Sequence, residues 1–205
     1  MVRADKNGII DVGPRSAHIA GLDYAVYTDT EKINQPKVDF FSPKPGDPAD
    51  YVRILMEDGS AVTITNSCAA NVLGLVEPNH FSYGNIPSAR KAMQVLADYC
   101  KTTVEDIANQ IMEKSYQKIA PVINELVDKY KLEKDQISLV GVGGGASSLI
   151  TYYSNKDQVK YDIPENAEVI SSIGVALAMV RDVVERIIPC LLYTSDAADE
   201  GLGVD

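Results

Sequence analysis

The sequence predicts an α/β fold, and three observations carry that reading. Residues 1–87 hold short β-prone runs separated by turn signals. From Ser88 the apolar period changes to the 3.6 residues of a helix. An apolar, β-branched run then enters a glycine cluster and a helix-like segment, Ile137-Ser-Leu-Val-Gly-Val-Gly-Gly-Gly-Ala-Ser-Ser-Leu-Ile150. A helical pair followed by β–turn–α–β–α is an α/β arrangement.

In chain order, residues 2–29 read as short strands and turns, with Asn7-Gly8 as a hairpin signal. Asp11 to Gly21 mixes turn residues with a possible helix start. Residues 34–50 carry Pro36, Pro43, Pro45 and Pro48, which predicts an irregular surface loop. Tyr51–Met56 is a strand candidate, Asp58-Gly59 a second hairpin signal, and Ala61–Thr65 the return strand. Residues 67–75 are small and apolar, as in a short buried helix, and Asn79–Pro87 connects onward.

Ser88 is placed to cap a helix over Ala89–Tyr99. Thr102-Thr-Val-Glu105 matches a capping box, and Val104, Ile107, Ala108, Ile111 and Met112 form one helical face behind it. Pro121 either kinks this helix or starts a new segment, with Val122, Ile123, Leu126, Val127 and Tyr130 extending the stripe. A strand over 137–142, a helix over 146–154, a strand over 159–163 and a final helix over 166–187 complete the pattern. The expected organisation is a strand-rich segment over 1–87, a second subdomain over 88–189 and a tail over 190–205. No internal repeat is visible.

Composition sets bounds. The chain has 205 residues, 45% hydrophobic and 23% charged, enough apolar material for a real core. A net charge of −10 argues against nucleic acid or an anionic membrane as the main partner. Cys68, Cys100 and Cys190 lack metal-ligand spacing and read as reduced thiols, which points to the cytoplasm. No run is long enough to span a membrane, and the N-terminus lacks an apolar signal core. Residues Cys190–Asp205 resemble a translated sequencing adapter, so the natural chain is expected to continue differently after Pro189. Such scars are excluded from fold reasoning. Setting aside the tail's four acids lowers the 29 acidic residues to 25 against 19 basic, a net charge of −6.

The glycine cluster carries the chemistry. Glycines at a strand-to-helix turn let a ligand approach the backbone, and the free N–H groups of the next helix favour an anion or a polar nucleotide edge. Gly143, Gly144, Gly145, Ala146 and Ser147 are therefore candidate nucleotide-binding residues. Gly141-Val-Gly143-Gly-Gly-Ala146 also fits G-x-G-x-x-A, with Asp162 near the end of the following strand as a ribose-binding acid. On that alternative the chain holds part of a nicotinamide-dependent oxidoreductase. The third reading is a turn needed only for packing. Ser147 and Ser148 serve equally as helix caps. Arg15 and His18 in a polar turn, and Asn66 before the small helix, are candidate cleft residues with structural alternatives. Lys114 and Lys118 lie one helical turn apart and belong to a solvated face unless they reach a nucleotide. No metal ligand set and no catalytic residue stands out.

Five colinear blocks resemble the hydantoinase/5-oxoprolinase A-type family. Val12-Gly-Pro-Arg-Ser-Ala17 resembles V-G-P-x-S-A, with His18 where Gly is usual. Thr63–Gly74 resembles T-V-T-D-A-N-x-x-L-G, with Asn66 in place of Asp and two residues inserted before Asn71. Val104-Glu-Asp-Ile-Ala108 is similar to V-E-E-A-A. Leu139–Ala146 resembles L-V-A-F-G-G-A-G-P without the usual Pro-Leu-His after it, and Ile163–Gly174 is similar to V-P-x-x-x-G-V-x-S-A-x-G.

The resemblance implies a partial actin/Hsp70/sugar-kinase-like (ribonuclease H-like) ATPase domain, with the glycine turn packed against the adenosine of ATP. It implies ATP and Mg²⁺ as cofactors of the intact protein, hydrolysis of a cyclic amide or a related carboxylase reaction, and a B-type hydantoinase subunit as partner. A non-catalytic actin-like nucleotide-binding protein is the alternative within that fold. The phosphate-binding turns of such ATPases, D-x-G-G-T and G-G-T-S/T-D, do not occur here, so the chain is expected to be an inactive fragment.

Overall fold

A computed structural model describes residues 1–178. The chain divides into two compact units, Met1–Ser172 and Ile173–Asp205. The described part of the second is the end of one helix. The tail over 190–205 and the rest of the expected helix to 187 lie outside the described residues.

The first unit opens with a hairpin of β1 (Val2–Asp5) and β2 (Gly8–Val12), joined through the Asn7-Gly8 turn. Asp5 Oδ1 accepts from the Asn7 amide at 2.7 Å, a local turn bond typical of Asp. β3 (Asp23–Tyr24), β4 (Lys37–Phe41), β5 (Tyr51–Leu55) and β6 (Ala61–Thr63) complete a six-stranded mixed sheet. β5 is its centre. It pairs antiparallel with β4 along its length, and with β1 and β6 at its two ends. β3 lies parallel to β6.

β4 corrects the expectation of an irregular loop over 34–50. Its register runs from Lys37↔Leu55 to Phe41↔Tyr51. Pro36 precedes the strand and Pro43 follows it, so neither removes a ladder N–H. Val38 and Phe40 alternate with Lys37 and Asp39 and pack against the core.

Four helices of this unit follow: α1 (Asn66–Val72), α2 (Ile86–Cys100), α3 (Val104–Tyr130) and α4 (Ala146–Asp157). α2 begins earlier than expected. Asn85, not Ser88, is its cap, and Asn85 Oδ1 accepts from the Ser88 amide at 3.1 Å. Pro87 is tolerated because a first-turn N–H has no helical partner to lose. Ser88 instead donates its hydroxyl to the Ala25 carbonyl at 2.7 Å.

The capping box of α3 is shifted by one residue: Thr103 caps by accepting from the Asp106 amide, and Thr102 donates to the Asp106 carboxylate. α3 runs through Pro121 as one helix. Ile107, Ala108, Ile111 and Met112 are fully buried, whereas Val122, Leu126 and Tyr130 are exposed, so the predicted stripe is a core face only before the proline.

One buried cluster runs across residues 87 and 88, taking Val2, Val26, Ile54 and Ile64 from the sheet and Met93, Leu96, Ile107 and Met112 from the helices. β7 (Ser138–Val140), α4 and β8 (Lys160–Asp162) then form a β–α–β unit with parallel strands, Leu139 opposite Tyr161. α4 is fastened to α3 by Tyr116 donating to Asp157 at 2.6 Å, by Tyr152 donating to Glu113 at 3.1 Å, and by the Lys156–Glu113 ion pair. α5 (Ile170–Leu177) contains the boundary between the two units.

Candidate functional site

The site grows out of the turn after β7. The Gly141 amide donates to the Asp162 carbonyl at 2.8 Å and extends the parallel pairing by one residue. Gly143 then adopts φ +95°, a region L side chains rarely enter, and donates to the Ala167 carbonyl at 2.7 Å. Its own carbonyl accepts from Ala146, which starts α4 with Gly145 as cap. The turn depends on the positive φ of Gly143.

The second wall is the loop from Glu77 to Asn85. Asn71, almost fully buried on α1, makes three bonds, two of them to this loop. Its Nδ2 donates to the Ser67 and Ser82 carbonyls at 2.8 Å each, and its Oδ1 accepts from the Gly84 amide at 3.0 Å. Ser82 is fully buried, its hydroxyl bonded to that of Ser147 and, at 3.2 Å, to that of Ser148. The first two serines of α4 are thus bound to the loop. Phe81, next to Ser82, lies over the Gly144 backbone, and a Cβ built there would sit 3.1 Å from Cδ1 and Cε1 of the ring.

Between the turn, this loop and the segment Ile163–Glu168 lies a pocket of about 450 Å³. That is within the ~300–1,000 Å³ usual for small-molecule sites. Gly143, Gly144, Ala146 and Ser147 line it; Gly145 does not. No lining residue is a Lys or Arg, and the two charged ones are Glu165 and Glu168. The bare glycine backbone, one aromatic ring and acceptor groups fit the uncharged nucleoside part of a nucleotide, not its phosphates. His80, also in the wall, has a buried Nδ1 without a hydrogen-bond partner among the described residues.

A smaller depression of about 220 Å³ lies across the turn, lined by Asn66, Ser67, Gly145 and Ser148 together with the Ser16-Ala17 turn. Asn66 Oδ1 accepts from Ser115 at 2.9 Å, and the cap of α1 is Thr65, one residue earlier. Arg15 and His18 line neither cavity. Arg15 forms a two-bond pair with Asp47 at 2.8 and 2.7 Å, which holds that carboxyl below its usual range. His18 is exposed, its ring 5.3 Å from that of Tyr24. Lys118 donates to Asp11 and to the Val12 carbonyl, both at 2.6 Å, tying α3 to β2. Asp162 is exposed and does not line the pocket.

Sequence reasoning missed Asn71, Phe81, Ser82, Glu165 and Glu168. The exposed aromatic beside a serine in the 79–87 connection was the one available signal. Among the described residues no three His, Cys, Asp or Glu side chains gather as a metal cluster, and no helix is long and apolar enough to cross a membrane.

The fold is that of an α/β protein with a pocket at a glycine turn. A family model described as hydantoinase/oxoprolinase matches residues 1–184, and the chain belongs to that family, a group of cyclic-amide-hydrolase-like proteins. No curated protein and no solved structure matches the chain.

Proposed function

We propose that this chain is part of an ATP-dependent cyclic-amide hydrolase of the hydantoinase/oxoprolinase family or a related carboxylase subunit, with an actin-like ATPase fold. The pocket at the glycine turn is its nucleoside seat. The observation that carries this reading is the turn itself. Gly143 and Gly144 present bare backbone to a pocket whose walls suit a nucleoside, in a chain of this family.

ATP, with its Mg²⁺, would supply the phosphoryl group that activates the oxygen of a cyclic amide. The residues here have a simpler task. Gly143 lets the nucleoside approach the backbone, Phe81 lies over Gly144 and closes one side, and Ser147 fixes the start of α4 against the loop. Phosphoryl transfer is mostly positioning and charge stabilisation. A pocket wall without a cation supplies neither for the phosphates, so the chain alone binds nucleotide without turning it over. A B-type hydantoinase subunit and a cytoplasmic setting belong to the same reading.

Calorimetric titration of the full chain with ATP and with NAD tests it. The expected result is ATP binding, no preference for NAD and no phosphate release. Tighter binding of NAD, lost in Asp162→Ala, would turn the assignment to a dinucleotide site.

A further inference from the structure

The wall opposite the glycine turn has chemistry of its own. Phe81 is 68% exposed. A single exposed aromatic is ordinary on a protein surface. This one stands on a loop fastened on both sides, by the Ser82 hydroxyl to Ser147 and Ser148 and by Asn71 to the Ser82 carbonyl and the Gly84 amide. The ring is held out at the rim of the pocket by buried bonds. The charged groups lining the same pocket are the carboxylates of Glu165 and Glu168, which only accept hydrogen bonds.

We propose that Phe81 is the platform on which a purine base stacks, and that Glu165 and Glu168 receive its exocyclic amino group. The pocket then selects an amino-purine over its oxo counterpart. This rests on the nucleoside seat proposed above. Stacking on an aromatic face tolerates any base, so the ring alone gives affinity without choice. The carboxylates supply the choice. A carboxylate at the 6-position accepts from the 6-amino group of adenine, whereas it meets the 6-oxo group of hypoxanthine as acceptor against acceptor, and that base keeps only its N1–H as a donor on the edge.

The chain contains no Trp, so Phe81→Trp places a single indole at the proposed stacking face. Indole emission of the full-length variant is followed while ATP or ITP is added, with calorimetry on the wild type, Phe81→Ala and the double variant Glu165→Gln/Glu168→Gln. ATP is expected to quench the indole. Phe81→Ala is expected to weaken ATP binding about 5- to 100-fold with its circular dichroism and melting temperature unchanged. ITP is expected to bind the wild type at least about tenfold more weakly than ATP, and the double Gln variant to narrow that gap. If the wild type binds ATP but Phe81→Ala binds it equally well, or ITP matches ATP, this proposal falls and the nucleoside seat stands. If the wild type binds neither nucleotide, both fall together.

Discussion

The ring of Phe81 lies so close to the Gly144 backbone that a Cβ at Gly144 would stand 3.1 Å from two of its carbons. The three glycines of the turn are therefore not equivalent. Gly143 is required by its φ of +95°, Gly144 by the neighbouring ring, and Gly145 by neither, since a Cβ there meets nothing.

Substitutions along the turn should separate these roles. Gly143→Ala should cost about 1–2 kcal/mol of stability through backbone strain. Gly144→Val should push the Phe81 ring aside and weaken ATP binding by about tenfold with a smaller loss of stability. Gly145→Ala should stay within about 1 kcal/mol of the parent. Urea denaturation and ATP titration of the three variants give the comparison, and equal losses in all three would contradict it.

Asn71→Ala should be among the most damaging single changes in the helical layer. It strips partners from two carbonyls and one amide, and a buried polar group left unpaired costs about 1–3 kcal/mol. A loss of about 3 kcal/mol or more in urea denaturation is expected. Ser82→Ala should cost less, because Ser147 and Ser148 lose one hydroxyl partner and no backbone group is stranded.

Acid should destabilise the protein through its paired carboxylates. Asp50 is held below its ordinary range first by hydrogen bonds from Arg3, and Glu113 first by Lys156. Each favours the folded state fully above the unfolded carboxylate pKa of about 4, and that contribution disappears as pH falls through the lowered folded value. Alkali acts through Tyr152. Burial and its bond to Glu113 push its hydroxyl up to about 12, so its contribution is complete below about pH 10 and lost as pH rises towards the folded value. Urea midpoints measured from pH 7 to 2 should fall, and Asp50→Asn should flatten part of that fall.

Lys118→Ala tests whether this lysine serves the helix or a nucleotide. Its partners Asp11 and Val12 belong to the hairpin, and it is half exposed. A stability loss of about 1 kcal/mol or less is expected, with ATP affinity unchanged. Asp162→Ala should likewise leave ATP binding as it is.

Much of this architecture was legible in the sequence. Asn7-Gly8 marked the first hairpin, the period beginning near Ser88 marked α2 and α3, and Ile137–Ile150 marked the β–turn–α unit. Errors arose where local signals competed. Prolines flanking β4 hid a strand whose Val38 and Phe40 pack against the core, and Ser88 looked like a cap because it follows Pro87, which in fact lies inside the first turn of α2. The exposed apolar residues beyond Pro121 could not be told from core by spacing alone. The pocket was half legible. The glycine turn announced itself, but Phe81 and Ser82 gain their roles through contacts with residues far along the chain, and Asn71 through a loop whose path spacing does not reveal.

Those hydroxyl contacts also set an order of assembly. Ser82 meets Ser147 and Ser148 across 65 and 66 residues of sequence. Contacts of such separation are late rewards in folding, because the loop they close must first be ordered. The pocket walls are expected to come together after the local hairpins and helices that frame them. Until then the turn is a glycine-rich strand end with nothing opposite it. On the proposed reading a nucleoside would then have no partial site to hold, and its binding energy would go wholly to the finished state. It should raise the melting temperature in proportion to the logarithm of its excess concentration.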